Sequence, residues 1–138
     1  MLGKLLKYCW NPDYVVRLFD KRFAHYEGEF HERTVTNGKV LEIDDPIIHN
    51  TFPSIRDYFI KVNNYSGTQA RLLYEQRTPF KTEMLISRSW AMFTQMLLGR
   101  KGLLDGKRGL ILAMMEGIKS FLTYAKLYEL YEKEKGEK

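Results

Sequence analysis

The apolar residues of this chain change their spacing at Ser54, and that change restricts what the chain can fold into. Before it, apolar residues come in short runs rich in β-branched and aromatic side chains, closed off by turn-forming residues. After it they recur every three to four positions, the period of a helix with one buried side. A chain that spends its front third on strands and the rest on helices is α+β. The pattern predicts a few short N-terminal strands followed by three C-terminal α-helices.

The strand part is read from its punctuation. Residues 14–19 (Tyr-Val-Val-Arg-Leu-Phe) form a β-type run between Asn11-Pro12-Asp13 and Asp20-Lys21-Arg22. Residues 34–43 read as a hairpin, Thr34-Val35-Thr36 pairing with residues 39–43 across Asn37-Gly38. Asn-Gly is the strongest two-residue hairpin signal, because both positions tolerate positive φ. Pro46-Ile47-Ile48-His49 is a further extended piece, its leading proline suited to an edge strand. So few strands leave exposed edges, which isolated domains avoid. The pattern therefore fits the edge of a larger sheet.

For the first helix, Ser54 is the expected N-cap, with Asp57 three residues on in a capping-box-like arrangement. Its inner side is traced by Ile55, Tyr58, Phe59, Val62, Gln69, Leu72 and Leu73. Gly67 weakens it locally by about 1 kcal/mol. The second helix is expected to open at Thr78-Pro79 and stop at Gly99. After a turn at Leu103-Leu104-Asp105-Gly106, the third runs over residues 107–132. Leu110, Met114, Ile118, Phe121, Ala125 and Tyr128 mark its expected inner face, and the tail beyond Glu132 is expected to fray.

At 138 residues the chain reads as one domain, with a strand-and-turn part over 1–53 and a helical part over 54–138. A net charge of +5 favours anionic partners, or simply solvates the surface. The single cysteine, Cys9, excludes an intrachain disulfide and reads as a small buried residue. It fits a reducing, cytoplasmic location. No stretch of about 18 uninterrupted apolar residues is present, so no membrane span is expected.

The residues with chemical promise cluster early. Tyr26-x-Gly28 leads into His31-Glu32, and an imidazole beside a carboxylate suits acid/base work or a metal-facing site. The order of pieces around it says more than the pair does. Arg17-Leu18-Phe19, a basic turn, Tyr26-x-Gly28, His31-Glu32 and Pro46-Ile47-Ile48-His49 follow one another. Lys61-x-x-Asn64-Tyr65-Ser66 and Gly102-x-x-Asp105-Gly106-x-x-Gly109 come after. This succession resembles the acceptor-side half of family 2 glycosyltransferases, in particular the branch that builds lipopolysaccharide core. The resemblance covers nearly the full chain.

That resemblance implies an inverting transferase of GT-A type. Its donor would be a nucleotide-sugar, its acceptor a glycan or lipid-linked molecule, and its cofactor a divalent metal, Mg or Mn. It would make Glu32 the base, with His31 on the diphosphate or the metal. Arg17, His49, Lys61 and Tyr65 would contact substrate. The family's Asp-x-Asp motif is missing here, and so is the nucleotide-binding half that carries it. The chain is accordingly expected to be a fragment, inactive alone and completed by that half. Plainer readings stay open. Arg17 and Glu32 could form an ordinary ion pair beside a packed His31, His49 could be a strand-end histidine, Lys61 a helix-surface residue and Tyr65 a core one. Asp44-Asp45 reads as a turn.

Met84, Trp90, Met92, Phe93, Met96, Met114, Met115 and Phe121 on the last two helices are expected to pack on each other and on the sheet. A sharper reading makes these helices a platform lying peripherally on the inner membrane face, with Arg88, Arg100, Lys101, Lys107 and Arg108 near anionic headgroups. Two rivals remain. One is a non-catalytic partner module, and the other a nucleic-acid-binding domain. Scattered basic residues without a recognised motif speak against nucleic acid as a partner.

Overall fold

The structure, a computed structural model, describes residues 6–9, 14–28, 33–43 and 53–136. The chain divides into a small unit, Pro12–His49, and a helical unit made of Met1–Asn11 and Asn50–Lys138. The architecture is α+β, a two-stranded antiparallel hairpin followed by three long helices.

The hairpin pairs β1 (Ala24–Glu27) with β2 (Arg33–Thr36), in a register that sets Ala24 against Thr36 and Glu27 against Arg33. Thr34-Val35-Thr36 is thus a strand as expected, but its partner precedes it. The Asn37-Gly38 turn forms no hairpin, and residues 39–43 and 14–20 run irregularly. The hydroxyl of Thr36 explains the change of partner. It donates to the Phe23 carbonyl at 3.0 Å and accepts from the Gly38 N–H at 3.0 Å. That local turn bends the chain off the ladder where a tight hairpin would have continued it. Gly28, with φ of 108°, supplies positive φ at the far end of β1.

In the helical unit, α1 (Ile55–Glu75) starts where Ser54 caps it. The Ser54 hydroxyl accepts the Asp57 N–H at 3.1 Å and donates to the Asp57 carboxylate at 2.6 Å. The helix runs unbroken through Gly67. It ends in a turn in which the Arg77 N–H reaches the Tyr74 carbonyl and the Thr78 N–H the Leu73 carbonyl. Arg77, at φ 55°, occupies the left-handed position that usually goes to glycine. Residues 78–81 then cross to the next helix. Tyr131 donates its hydroxyl to the Thr78 carbonyl, and Phe80 lies 5.1 Å from the Tyr128 ring. Those contacts hold Thr78-Pro79 in a connection, so α2 (Met84–Thr94) opens later than the proline suggested. A π-helical turn, Gln95–Gly99, closes it at the expected Gly99 stop, and a left-handed Lys101 follows.

The long helix α3 (Lys107–Gly136) organises the unit. Pairs Tyr58–Glu116, Ser66–Lys126 and Tyr74–Glu134 advance together, so α1 runs parallel to it. The Gly117 position lies against Ser89 and Phe93, and Phe80 against Tyr128, so α2 runs antiparallel. Two neighbours on one side require small residues. The buried positions of α3 are Gly109, Ala113, Gly117, Ser120 and Thr123 together with Leu112, Met115, Glu116 and Leu127. The stripe expected to be buried is largely the outward one: Leu110, Met114, Ile118, Phe121 and Tyr128 are exposed. On α1 the expected face is half right. Tyr58 and Val62 are buried with Ser66 and Ala70, while Ile55, Phe59 and Gln69 are exposed. Met96 and Met115 are core residues, but Trp90 faces solvent.

Residues past 132 stay helical to Gly136, against the expected fraying. Lys133 pairs with Glu129 at 2.7 Å and Lys135 with Glu132 at 2.8 Å, while Tyr74 donates to Glu134 at 2.8 Å. Surface pairs of this kind each contribute a few tenths of a kcal/mol, enough together to hold a helix end.

Two helical glycines should respond oppositely to alanine. A methyl on Gly67 would meet only the Lys126 ammonium at 3.7 Å, so Gly67→Ala is expected to stabilise by about 0.5–1 kcal/mol in urea unfolding. A methyl on Gly109 would sit 1.8 Å from the Gly102 carbonyl oxygen, which is backbone. Gly109→Ala is expected to cost about 3 kcal/mol or more, or to prevent folding.

Candidate functional site

Of the residues that the sequence singled out, His31, Glu32 and His49 lie outside the described residues, the first two in the stretch between Gly28 and Arg33. Arg17 is exposed in an irregular segment of the small unit, with no ion-pair partner among the described residues. Lys61 and Tyr65 are exposed on α1 of the helical unit. Tyr65 is therefore not a core residue.

The small unit carries a constellation that the sequence reading passed over. On β1, residues two apart share a face, which brings His25 and Glu27 together. The His25 Nε2 lies 2.9 Å from the Glu27 carboxylate, with both side chains exposed. Arg33 stands directly across the ladder from Glu27. On the opposite side of the strand, Tyr26 meets the Phe19 ring edge-on at 5.3 Å. Next to the hairpin is an open hollow of about 320 Å³ whose lining includes Lys21, Arg22, His25, Val35 and Asn37. Arg22 is held by Asp20 at 2.6 Å, and its guanidinium lies 5.5 Å from the Phe23 ring centre. The Arg22 hydrogen bonds hold the Asp20 carboxyl below its usual range. The result is a basic hollow edged by a carboxylate-oriented imidazole. Such a surface can receive an anionic or hydroxyl-bearing group and exchange a proton with it. The i, i+2 spacing on a strand was the signal that could have found it.

The buried carboxylate of the helical unit serves structure. Glu116, only 4% exposed, accepts from the Tyr58 hydroxyl at 3.0 Å and from the Lys119 ammonium. Burial, and then the neighbouring Glu116 charge, push the Tyr58 hydroxyl well above the usual phenol range. Lys126 binds the Asn63 carbonyl, the Asn63 side chain and the Ser66 hydroxyl. No buried side-chain polar atom among the described residues lacks a partner, so these clusters are closed and present nothing to a ligand.

Asp105 belongs to the same class. It accepts the N–H groups of Lys7, Tyr8 and Cys9 at 2.8, 3.1 and 2.8 Å, tying the N-terminal segment to the turn before α3. Burial alone would raise its carboxyl, but the three N–H bonds outweigh that and hold it below its usual range. Cys9 is buried against this carboxylate. Desolvation first, and the Asp105 charge second, push its thiol up to about 11.

Among the described residues no group of three His, Cys, Asp or Glu side chains converges to hold a metal ion. The described residues thus offer no site for the divalent cation that the resemblance implies, and His31 lies outside them. No helix of the described residues is long and apolar enough to cross a membrane.

Against known proteins, the chain is 28% identical to a Rickettsia bellii protein named an uncharacterized glycosyltransferase, over 83% of this chain. The aligned part is 42% of that protein, so the chain spans well under half the length of the relative it matches. This similarity supports a glycosyltransferase relationship. No family model and no solved structure matches the chain.

The Asp105 clasp has a pH signature. Its folded pKa lies below the unfolded value, so its stabilisation is complete above about pH 4 and is lost as pH falls through the lower folded value. Asp105→Asn is expected to destabilise by about 1–3 kcal/mol at pH 7. In urea titrations the gap between wild type and variant should stay constant down to about pH 5 and close at lower pH.

Proposed function

We propose that this chain is the acceptor-side part of an inverting glycosyltransferase that moves a sugar from a nucleotide-sugar to a glycan or lipid-linked acceptor. The observation that carries the reading is the similarity to the Rickettsia bellii protein along most of this chain. In this reading Glu32 removes the proton from the acceptor hydroxyl as its oxygen attacks the anomeric carbon. The bond from that carbon to the nucleoside diphosphate breaks, and the diphosphate leaves with the electron pair. His31 contacts the departing diphosphate. Arg17 pairs with phosphate through its two-pronged donor geometry, and its exposure supports that role. His49, Lys61 and Tyr65 contact the acceptor. In this reading the sugar-nucleotide is held by a nucleotide-binding part outside these 138 residues, and turnover needs that part. The Mg or Mn implied by the resemblance would serve the leaving diphosphate there.

Glu32→Gln in the complete transferase should leave nucleotide-sugar affinity within about twofold and lower kcat by about a hundredfold or more, the span expected for loss of a general base. Radiolabelled sugar transfer measures the rate and equilibrium dialysis the affinity. Turnover near wild type would place the base elsewhere.

A further inference from the structure

The tip of the α2–α3 hairpin, residues 97–108, carries a surface unlike the rest of the helical unit. Leu98, Leu103 and Leu104 are 61, 58 and 61% exposed. They stand beside core residues, since the neighbouring Leu97 packs inward and Gly102 is buried against Met96 and Cys9. Around the three leucines stand Arg100, Lys101, Lys107 and Arg108. Among the described residues none of the four has an ion-pair partner. The one carboxylate of the tip, Asp105, is occupied by three backbone N–H groups. The backbone is closely specified, with Lys101 and Gly106 at positive φ on either side of the 3-10 turn Gly102–Asp105. Beyond it the outward side of α3 continues apolar through Leu110 and Met114.

We propose that this tip is a membrane-docking wedge for an anionic bilayer. The leucines enter the boundary between headgroups and acyl chains, and the four cations lie at the level of the lipid phosphates. Charge complementarity selects this occupant: unpaired cations around an aliphatic centre match an interface that is anionic outside and apolar inside. Lys and Arg can keep their heads at the phosphates while their stems follow the leucines inward. A single-stranded nucleic acid would need flat rings to stack on, and the tip offers none. The arrangement rests on the surface, since no helix of the described residues can cross a bilayer. Docking would present the unit to a lipid-linked acceptor, but it holds whether or not the transferase reading does.

The test is co-sedimentation of the full chain with sucrose-loaded vesicles, of phosphatidylcholine alone or with about one third phosphatidylglycerol. Binding is expected on the anionic vesicles only, and lost in about 1 M salt, where screening shortens to about 3 Å. L103S/L104S and R100Q/K101Q should each lower partitioning about tenfold or more. I86S, at an exposed apolar site on α2, should leave it unchanged, and circular dichroism confirms that each variant is folded. An environment-sensitive dye on Leu103→Cys should shift to the blue on anionic vesicles, while the same dye on Ile86→Cys should not. No binding to anionic vesicles, equal binding to both kinds, wild-type binding by L103S/L104S, or oligonucleotide binding without vesicle binding would each overturn the proposal. None of these outcomes bears on sugar transfer, so the transferase reading stands or falls separately.

Discussion

The helical unit depends on the contact between two glycines. The buried Gly109, in the first turn of α3, is packed so closely on the Gly102 backbone that no side chain fits between them. That closeness lets α3 start directly beneath the end of α2 and run back along it. It also sets the 3-10 turn so that Asp105 can reach the N–H groups of residues 7–9. One steric constraint thereby sets where α3 begins and where the N-terminal segment is tied down. It also leaves Leu103 and Leu104 facing outward.

A second consequence follows along α3. A helix flanked by two others on one side must make that side narrow. Here the narrow side is built of glycine, alanine, serine and threonine, with a few larger residues filling between. Buried small residues leave the bulky apolar ones for the other face. Glu116 enters this interior only because Tyr58 and Lys119 satisfy it. A buried carboxylate so partnered gives the packing a fixed register and is unavailable for chemistry.

What could be read from the sequence follows from the range of each interaction. Ser54 was legible because a cap needs only the next three residues, and the bond to Asp57 has that length. The start of α3 at Lys107 was legible from the turn Leu103-Leu104-Asp105-Gly106 just before it. The partner of Thr34-Val35-Thr36 was not, because Asn37-Gly38 carries a strong local signal that a longer-range bond from Thr36 to Phe23 overrides. The inward face of α3 was misread because periodicity weighs size and apolarity, whereas close helix contact selects for smallness. His25 and Glu27 were passed over for the adjacent pair His31-Glu32, although alternation on a strand brings residues two apart onto one face.

The resemblance to transferases can be divided by what its residues do. Gly102, Asp105 and Gly109 have geometric duties in the described structure: a close approach, a clasp on three N–H groups and a helix start. Gly106, at φ 60°, supplies the bend between the 3-10 turn and α3. Duties of this kind are architectural and carry no information about sugar transfer. Sugar transfer makes a different demand, a carboxylate left unpaired and open to an acceptor. In the helical unit Asp57, Asp105, Glu116 and Glu134 all have hydrogen-bond partners. Those four carboxylates are spent on the packing and do not meet that demand.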